Sequence, residues 1–297
     1  MNEEICVLAC PGSKNLANGI AKILATKIID VELKVFPDGE SKIKLNGNPS
    51  GKLAVMVQST YPTVNARLLE TLFIIKKAMK MGADVCAVIP YLAYARQDKE
   101  FVEGEAVSME SIGSMFDSSG VRNLITVDIH SDTALKYFTI PAYTVSAVPL
   151  LANHFKKQDL VQPLVVSPDI GGSKRAEEFA KIMGTESIVL SKHRDRNTGQ
   201  VSIDDSIPEL AKVKNRDTIL VDDIISTGGS IVKATEVLKK AYCNNVLIAC
   251  THALLLDDAL DKLRSAGVQE IVATNTIPSQ VSKVDVTPAI CDQINKL

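Results

Sequence analysis

ILVDDIISTGGSIVKA, residues 219–234, sets two adjacent carboxylates at the end of an apolar run, before small residues and a helix-forming stretch. Placing Asp222 and Asp223 beside buried strand residues is costly unless a ligand or partner uses their charge. Glycines after them let backbone N–H groups approach a phosphate, and the dipole of the next helix favours the anion. Without that loop, the stretch would read as a tight turn with a capping Asp. With it, we predict a phosphoribosyl pocket that also contains Ser226, Thr227, Gly228, Gly229 and Ser230.

Composition narrows the class of protein. The chain has 297 residues, 46% of them hydrophobic, which is enough for one large or two medium domains. A net charge of −2, 4% aromatic residues and no tryptophan argue against a nucleic-acid partner. The N-terminus lacks a signal-peptide pattern, and the run VLIACTHALLL is shorter than the roughly 20 apolar residues that cross a bilayer. We therefore expect a soluble, cytoplasmic protein without a membrane partner, whose six scattered cysteines are reduced packing thiols.

Short apolar runs alternate with amphipathic helical stretches along most of the chain. This rhythm predicts βαβ units and hence an α/β fold with mainly parallel sheets flanked by helices. Residues 28–45 alternate instead as an antiparallel hairpin, and a helix from Asn65 to Met81 is expected with Asn65 as its cap. A boundary near residue 145 predicts two similar domains, 1–145 and 146–297. The last residues predict a final helix, whose packing on the first domain is left open.

Two polar segments of the first half stand out. VFPDGESKIKL, from residue 35, has the form of a hairpin turn that carries Phe36, Asp38, Gly39 and Glu40. In PYLAYARQDK, from residue 90, the guanidinium of Arg96 suits bidentate binding of a phosphate, and Gln97 can read a base edge or a ribose. Asp98 follows directly. Taken alone, the first segment is best explained as a hairpin turn, and the second fits a solvated charge run equally well.

Three further segments pair strand ends with charged residues. VDIHSD ends a strand near His130, and VVSPDIGGSKRAEEFA ends another at Asp169. An imidazole and a carboxylate at two strand ends are able to share a Mg²⁺ shell, although a lone His is more often structural. SKHRDRNTG places Lys192 and Arg194 in a loop between strands, where basic side chains suit a lid over phosphates or, equally, a solvated hairpin tip.

In this order the segments resemble ribose-phosphate pyrophosphokinase over nearly the whole chain, and RQDKEFVEGEAVS with VDDIISTGG resembles its archaeal branch. The resemblance implies two phosphoribosyltransferase-like domains, Mg²⁺ as cofactor, and a homo-oligomer. It implies transfer of the β,γ-diphosphate of ATP to the C1 hydroxyl of ribose 5-phosphate. The implied ATP-binding residues, some completing a neighbouring subunit's site, are Phe36, Asp38, Gly39, Glu40, Arg96, Gln97 and Asp98.

The resemblance also assigns metal, catalytic and sugar-binding roles. His130 and Asp169 match magnesium-associated positions, and Lys192 and Arg194 match the catalytic loop. The ribose 5-phosphate site would comprise Arg194, Asp222, Asp223 and the five residues Ser226–Ser230. Many relatives have Asp where Ser226 stands and Thr where Ser230 stands, so the affinity for the sugar is open.

Two other functions share part of this pattern. A phosphoribosyltransferase would use the sugar-phosphate loop but would not need the ATP-like segments at residues 36–40 and 96–98. A non-catalytic regulatory homologue would be expected to lose the basic residues of the catalytic loop, yet Lys192 and Arg194 are present. The pattern therefore favours the pyrophosphokinase.

Overall fold

A computed structural model describes residues 4–190, 192–194, 201–203 and 207–297, and the chain divides into two units. The first unit ends at Ser146 and resumes over Val286–Leu297. The second unit, Ala147–Asp285, is therefore inserted into the first. The final helix belongs to the first unit, which the division at residue 145 does not reflect.

The first unit is built on a seven-stranded sheet in the order β3-β2-β1-β4-β5-β6-β7. All neighbouring strands in it run parallel except the antiparallel pair β2–β3, which forms the hairpin predicted for residues 28–45. Its elements are β1 Ile5–Ala9, α1 Lys14–Ile23, β2 Lys27–Val35, β3 Ser41–Leu45, β4 Leu53–Val57, α2 Val64–Lys80, β5 Asp84–Val88, α3 Ser108–Ser119, β6 Asn123–Val127, α4 Asp132–Leu135 and β7 Ala142–Val145, with α9 Thr287–Ile294 returning to it.

The second unit has a six-stranded parallel sheet in the order β15-β14-β13-β12-β8-β9 and a separate antiparallel ribbon, β10–β11. Its elements are α5 Val148–Phe155, β8 Leu164–Ser167, a 3₁₀ turn Ile170–Gly172, α6 Ser173–Met183, β9 Ser187–Val189, β10 Lys192–Arg194, β11 Val201–Ile203, a 3₁₀ turn Pro208–Val213, β12 Thr218–Ile225, α7 Gly229–Lys240, β13 Val246–Ala253, α8 Ala259–Ser265, β14 Val268–Thr274 and β15 Ser282–Val284.

Continuous burial of the central strands explains this architecture. All eight residues of β13 and all five of β4 are buried, as expected where helices cover both faces of a parallel sheet. The α/β fold predicted from the alternating runs is therefore confirmed. Parallel strands also bring their carboxyl ends, and the loops that follow them, to one edge of each sheet.

Two details differ from the sequence-based expectations. Helix α2 begins at Val64 with Thr63 at its cap position, so the cap predicted at Asn65 is wrong. The side chain of Asn65 instead accepts a hydrogen bond from the Tyr94 hydroxyl at 2.5 Å. Strand β12 continues through Ile225, so Asp222 and Asp223 lie within the strand and not after it.

Helix α9 packs on α1 of the first unit. Ile290, Cys291 and Ile294 of α9 are buried. A Cβ added to Gly19 of α1 would lie 2.9 Å from the Thr287 hydroxyl oxygen, so the two helices approach too closely for a larger residue there. Among the described residues, none of the helices is both long enough and apolar enough to span a membrane.

Candidate active site

The acidic pair lies on the central strand β12 of the second unit. Asp222 is opposite Cys250 of β13, and the side chain of Asp223 is only 6% exposed. The backbone N–H of Asp223 donates a hydrogen bond to Asp222 Oδ1 at 2.9 Å, and the Cys250 thiol donates to the carbonyl of Asp223 at 3.5 Å. Both carboxylates are thus fixed by the strand rather than carried on a loose loop.

Arg175 faces both carboxylates. Its Nη2 lies 3.5 Å from Asp223 Oδ2, and its Nη1 lies 3.9 Å from Asp222 Oδ1. Arg175 belongs to the first turn of α6, and helical side chains lean toward the helix N-terminus, which directs it toward the sheet edge. Sequence analysis missed this residue. Its cation is visible in GGSKRAEEFA after the turn at Asp169, but nothing in that stretch indicates its pairing with Asp222 and Asp223.

The electrostatic environment disfavours charge on Asp222. Burial, and after it the neighbouring charge of Asp223, raise the pKa of Asp222 well above its usual range. Asp169 adds to this rise, and the Arg175 guanidinium opposes it. Burial likewise raises the pKa of the adjacent Cys250 thiol, so this cysteine is a packing residue. Hydroxyl donors from a bound sugar would therefore relieve an existing electrostatic cost.

The loop after β12 leads directly into helix α7. Gly228 is buried at the cap position with φ +76°, a left-handed conformation that glycine adopts without strain. A Cβ placed on Gly229 would meet no atom within 4 Å, so open space adjoins this residue. Ser226 and Ser230 are half-buried, and Thr227 is exposed. The N-terminal amides of the 12-residue helix α7 follow this loop, an arrangement that suits a phosphate.

Asp169 holds the turn after β8. Its Oδ1 accepts a hydrogen bond from the Gly172 N–H at 3.2 Å, and its carbonyl accepts one from the buried Ser167 hydroxyl at 2.6 Å. A Cβ on Gly172 would lie 2.6 Å from the Ser167 hydroxyl oxygen, so this turn requires glycine. The half-buried carboxylate lies near enough to Asp222 to affect its pKa.

A second polar loop follows β5 in the first unit. Tyr94 has φ +68°, Arg96 is exposed, and Asp98 is 8% exposed. The backbone of the loop is held at two adjacent residues: the Met109 N–H donates to the Gln97 carbonyl at 3.2 Å, and the Tyr137 hydroxyl donates to the Asp98 carbonyl at 2.9 Å. The side chains of Arg96 and Gln97 are therefore presented from a fixed backbone.

The hairpin tip of the first unit lies apart from this loop along the sheet. The hairpin tip bonds within itself, since Phe36 N–H donates to the Glu40 carbonyl and Glu40 N–H donates to Asp38 Oδ1. Strands β1 and β4 separate its strand β2 from β5, a span of about 14 Å at ~4.8 Å per strand. His130, by contrast, is exposed after β6, the strand beside β5, two residues beyond Asp128 at φ +37°.

Lys192 and Arg194 form the backbone of β10, opposite Ile203 and Val201 of β11. The expectation of a loop is therefore wrong for these two positions, which lie on a strand of the ribbon. The rest of the predicted catalytic loop, residues 195–200, falls outside the described residues.

The second unit thus brings together Asp169, Arg175, Asp222, Asp223 and the loop Ser226–Ser230. No cluster of three or more His, Cys, Asp or Glu side chains that could hold a metal occurs in the part of the chain that the structure describes. Mg²⁺ does not need one, because it commonly binds one or two protein carboxylates and completes its shell with substrate phosphates and water. The half-buried Asp169 carboxylate fits such a role.

Known proteins match the chain over almost its full length. The profile of the N-terminal domain of ribose phosphate pyrophosphokinase matches residues 5–120, and that of the phosphoribosyl synthetase-associated domain matches residues 204–295. The ribose-phosphate pyrophosphokinase of Methanothermobacter thermautotrophicus is 36% identical over 287 residues, 96% of this chain and 98% of that protein. That of Sulfurisphaera tokodaii is 37% identical over 292 residues, 97% of this chain and 99% of that protein.

A solved structure has the same fold. The crystal structure of phosphoribosylpyrophosphate synthetase from Mycobacterium smegmatis matches with a TM-score of 0.86 at 27% identity, covering 99% of this chain and 98% of that one. The resemblance inferred from the ordered segments is therefore confirmed. On the strength of these full-length matches and of the acidic pair beside its glycine loop, the chain belongs to the ribose-phosphate pyrophosphokinase family.

Proposed function

We propose that the protein transfers the β,γ-diphosphate of ATP to the C1 hydroxyl of ribose 5-phosphate, giving phosphoribosyl pyrophosphate and AMP. Family membership supports this reaction. The observation that carries it is the position of two groups along β12. Asp222 and Asp223 lie within the strand, and the loop that directly follows the strand leads into α7. This arrangement offers acceptors for sugar hydroxyls and donors for a phosphate on the same sheet edge.

In this proposal the second unit binds the sugar. Asp222 and Asp223 accept hydrogen bonds from the ribose hydroxyls, and the amides of residues 226–230 hold the 5-phosphate. Arg175 keeps the two carboxylates oriented and offsets their mutual repulsion. Two separated anchors fix both ends of the sugar, so the C1 hydroxyl is directed toward the diphosphate.

The first unit binds ATP in this proposal. Arg96 grips a phosphate, and Gln97 and Asp98 contact the nucleotide from the backbone that Tyr137 and Met109 hold. Phe36, Asp38, Gly39 and Glu40 contact adenine. Because the sheet separates the hairpin tip from the Arg96 loop, completion of the site by a neighbouring subunit is the simplest role for the tip. Active protein is accordingly a homo-oligomer.

Charge stabilisation is the main catalytic requirement of this reaction, since phosphoryl-type transfer needs positioning more than covalent chemistry. Lys192 and Arg194 are the residues assigned to the transferring group and the departing AMP, with Arg194 also near the sugar phosphate. His130 and Asp169 are the residues assigned to Mg²⁺. When bound, Mg²⁺ would neutralise phosphate charge.

The two alternative functions are not favoured. Relatives that match over the full length are named ribose-phosphate pyrophosphokinase, and the segments at residues 36–40 and 96–98 have no use in a phosphoribosyltransferase. The retained Lys192 and Arg194 argue against a non-catalytic homologue. A cytoplasmic location is part of the proposal, in keeping with a metabolic enzyme.

A single assay tests the reaction. Purified protein is incubated with ATP, Mg²⁺ and ribose 5-phosphate, and the products are separated by ion-exchange chromatography. We expect equal amounts of AMP and phosphoribosyl pyrophosphate, and no AMP when ribose 5-phosphate is omitted. Release of ADP instead, or of no product, would contradict the proposed transfer.

A further inference from the structure

Two backbone hydrogen bonds join the segment after β13 to the start of the loop Ser226–Ser230, which we call the sugar-phosphate loop. The Leu255 N–H donates to the Ile225 carbonyl at 3.1 Å, and the Leu256 N–H donates to the Ser226 carbonyl at 3.0 Å. We call the segment Leu254–Asp257 the brace. These bonds act at the point where β12 ends and the loop begins, so the brace determines the direction in which the loop leaves the sheet.

The brace is held in an unfavourable backbone conformation. Leu255 has φ +47° and Asp257 has φ +52°, the left-handed region that costs a residue other than glycine about 1–2 kcal/mol. Such strain persists only where the surroundings over-determine it. Here the partly buried Leu255 side chain packs on the core of the second unit while its N–H reaches Ile225.

The start of the brace is anchored in a buried polar network. His252, 2% exposed, has its Nδ1 2.9 Å from the Thr276 hydroxyl oxygen, and Thr276 in turn donates to the Thr251 carbonyl at 2.9 Å. The Leu254 N–H donates to the His252 carbonyl at 3.2 Å. The brace therefore leaves a rigid end of β13.

The middle of the loop Ser226–Ser230 lies close to α8, the helix that follows the brace. A Cβ added to Gly228 would lie 3.4 Å from Cγ of Leu263, which is fully buried. The loop thus has the brace at its entry and Leu263 beside its middle residue. Its own sequence, with adjacent glycines at 228 and 229, provides little rigidity.

From this geometry we infer that the brace and Leu263 are positioning elements that preorganise the loop Ser226–Ser230 for the 5-phosphate. The inference rests on the proposed function of that loop. Neither element contacts the substrate in this scheme. Because a preorganised loop loses less conformational entropy on binding, loosening its supports weakens affinity for the sugar phosphate. Affinity for ATP, assigned to the first unit, is unaffected.

Leu256→Pro and Leu256→Ala form the matched test. Proline removes the N–H that bonds Ser226 and also disfavours the left-handed conformation of the preceding Leu255. Alanine keeps the N–H and leaves the conformation of Leu255 unrestricted. We expect Leu256→Pro to raise KM for ribose 5-phosphate at least tenfold, about 1.4 kcal/mol, over Leu256→Ala, with KM for ATP within threefold. Folded Leu256→Pro protein with a KM for ribose 5-phosphate within twofold of Leu256→Ala would overturn the inference.

Leu263 provides the second arm in case Leu256→Pro does not fold. Leu263→Ala should raise KM for ribose 5-phosphate at least fivefold, and Leu263→Met, which keeps the volume, should restore it. Equal values in Leu263→Ala and wild type would overturn the inference. Titration calorimetry with ribose 5-phosphate alone should give the same ratios. It separates this inference from the proposed function, because binding is measured even if the wild type forms no AMP.

Discussion

Two proposed binding regions are assembled in opposite ways. One is the sheet edge of the second unit with Asp222, Asp223 and the loop Ser226–Ser230, which we call the sugar edge, and the other is the hairpin tip of the first unit. At the sugar edge, Asp222 and Asp223 are set on a central strand, face Arg175 and precede a loop supported from two sides. At the tip, Asp38, Gly39 and Glu40 are exposed, and the turn bonds within itself. The first region is preorganised by contacts within its own unit. The second is an exposed turn, for which we propose a role only when a neighbouring subunit binds against it.

This difference suggests a division of labour between the units. Substitutions at the sugar edge should change the use of ribose 5-phosphate, and substitutions at the tip should change the use of ATP. A substitution that changes the use of ribose 5-phosphate and of ATP equally would contradict this division.

The largest expected effect belongs to neither substrate site. Lys192→Ala should lower kcat by roughly 10³ or more, about 4 kcal/mol, because a group that acts on the transferring diphosphate stabilises mainly the transition state. KM for ribose 5-phosphate should change only several-fold. Steady-state kinetics, with Lys240→Ala on the exposed end of α7 as control, measures both parameters. A kcat within tenfold of wild type would reject the catalytic role, and a raised KM for ATP alone would make Lys192 a binding residue.

Asp222→Asn tests the sugar edge. The substitution removes one charged acceptor for a ribose hydroxyl, a hydrogen bond of about 1.5–3 kcal/mol, so KM for ribose 5-phosphate should rise roughly 30-fold. KM for ATP should stay within threefold. Glu236→Gln, which removes an exposed ion pair with Lys233 on α7, is the matched control and should have no effect. An ATP-specific defect in Asp222→Asn would reverse the assignment.

Phe36→Ala tests the hairpin tip. Loss of an aromatic surface for adenine should raise KM for ATP about tenfold, since stacking on a base contributes ~1–3 kcal/mol. Val35→Ala, at a neighbouring residue that is 57% exposed, serves as control. Light scattering at the assay concentration should show at least a dimer. A fully active monomer would disprove completion of the site by a second subunit.

Two substitutions of Asp169 distinguish its proposed role in metal binding from its role in holding the turn after β8. Asp169→Asn keeps an oxygen that accepts the Gly172 N–H but removes the charge, whereas Asp169→Ala removes both. We expect both variants to need roughly five times more Mg²⁺ for half-maximal rate, because the carboxylate is a preferred ligand. Only Asp169→Ala should also lose stability, by about 1 kcal/mol. An unchanged magnesium titration in Asp169→Asn would remove Asp169 from the metal site.

The final expected effect concerns stability and not kinetics. Because the pKa of Asp222 is raised in the folded state, its ionisation opposes folding: stability is highest below the ordinary carboxyl pKa and falls as pH rises toward the raised value. Asp222→Asn should therefore be more stable than wild type at pH 7. The difference in unfolding free energy between Asp222→Asn and wild type should disappear toward pH 4. Denaturant unfolding across that range measures it, and a constant difference would contradict the electrostatic cause.

Sequence predicted those features that depend on local pattern. Buried runs such as β4 and β13 were found because both faces of a parallel strand are apolar, and the loop after Asp223 was found because glycines and a helix follow it in the chain. The structure brings Asp169, Asp222, Asp223 and the loop Ser226–Ser230 onto one sheet edge, as the rule for parallel strands implies. Their roles stay predictions.

Features that depend on tertiary approach were missed. The pairing of Arg175 with Asp222 and Asp223 joins residues almost fifty positions apart, and no spacing rule indicates it. Asn65 has the chemistry of a helix cap, but the hydroxyl of Tyr94 uses its oxygen. The support of the loop by Leu255 and Leu263 involves apolar residues, whose sequence context predicts only a core.

The return of α9 to the first unit reverses the usual order of maturation during synthesis. Domains generally fold as units from the N-terminus while the chain leaves the ribosome. Here Ala147–Asp285 emerges complete before the first unit receives Val286–Leu297. Until then, the face of α1 that meets Thr287 and Cys291 lacks its cover. The unit that is translated first is thus completed by the last residues to be made, and a released chain that ends at residue 285 would contain all of the inserted unit but would lack α9 of the first.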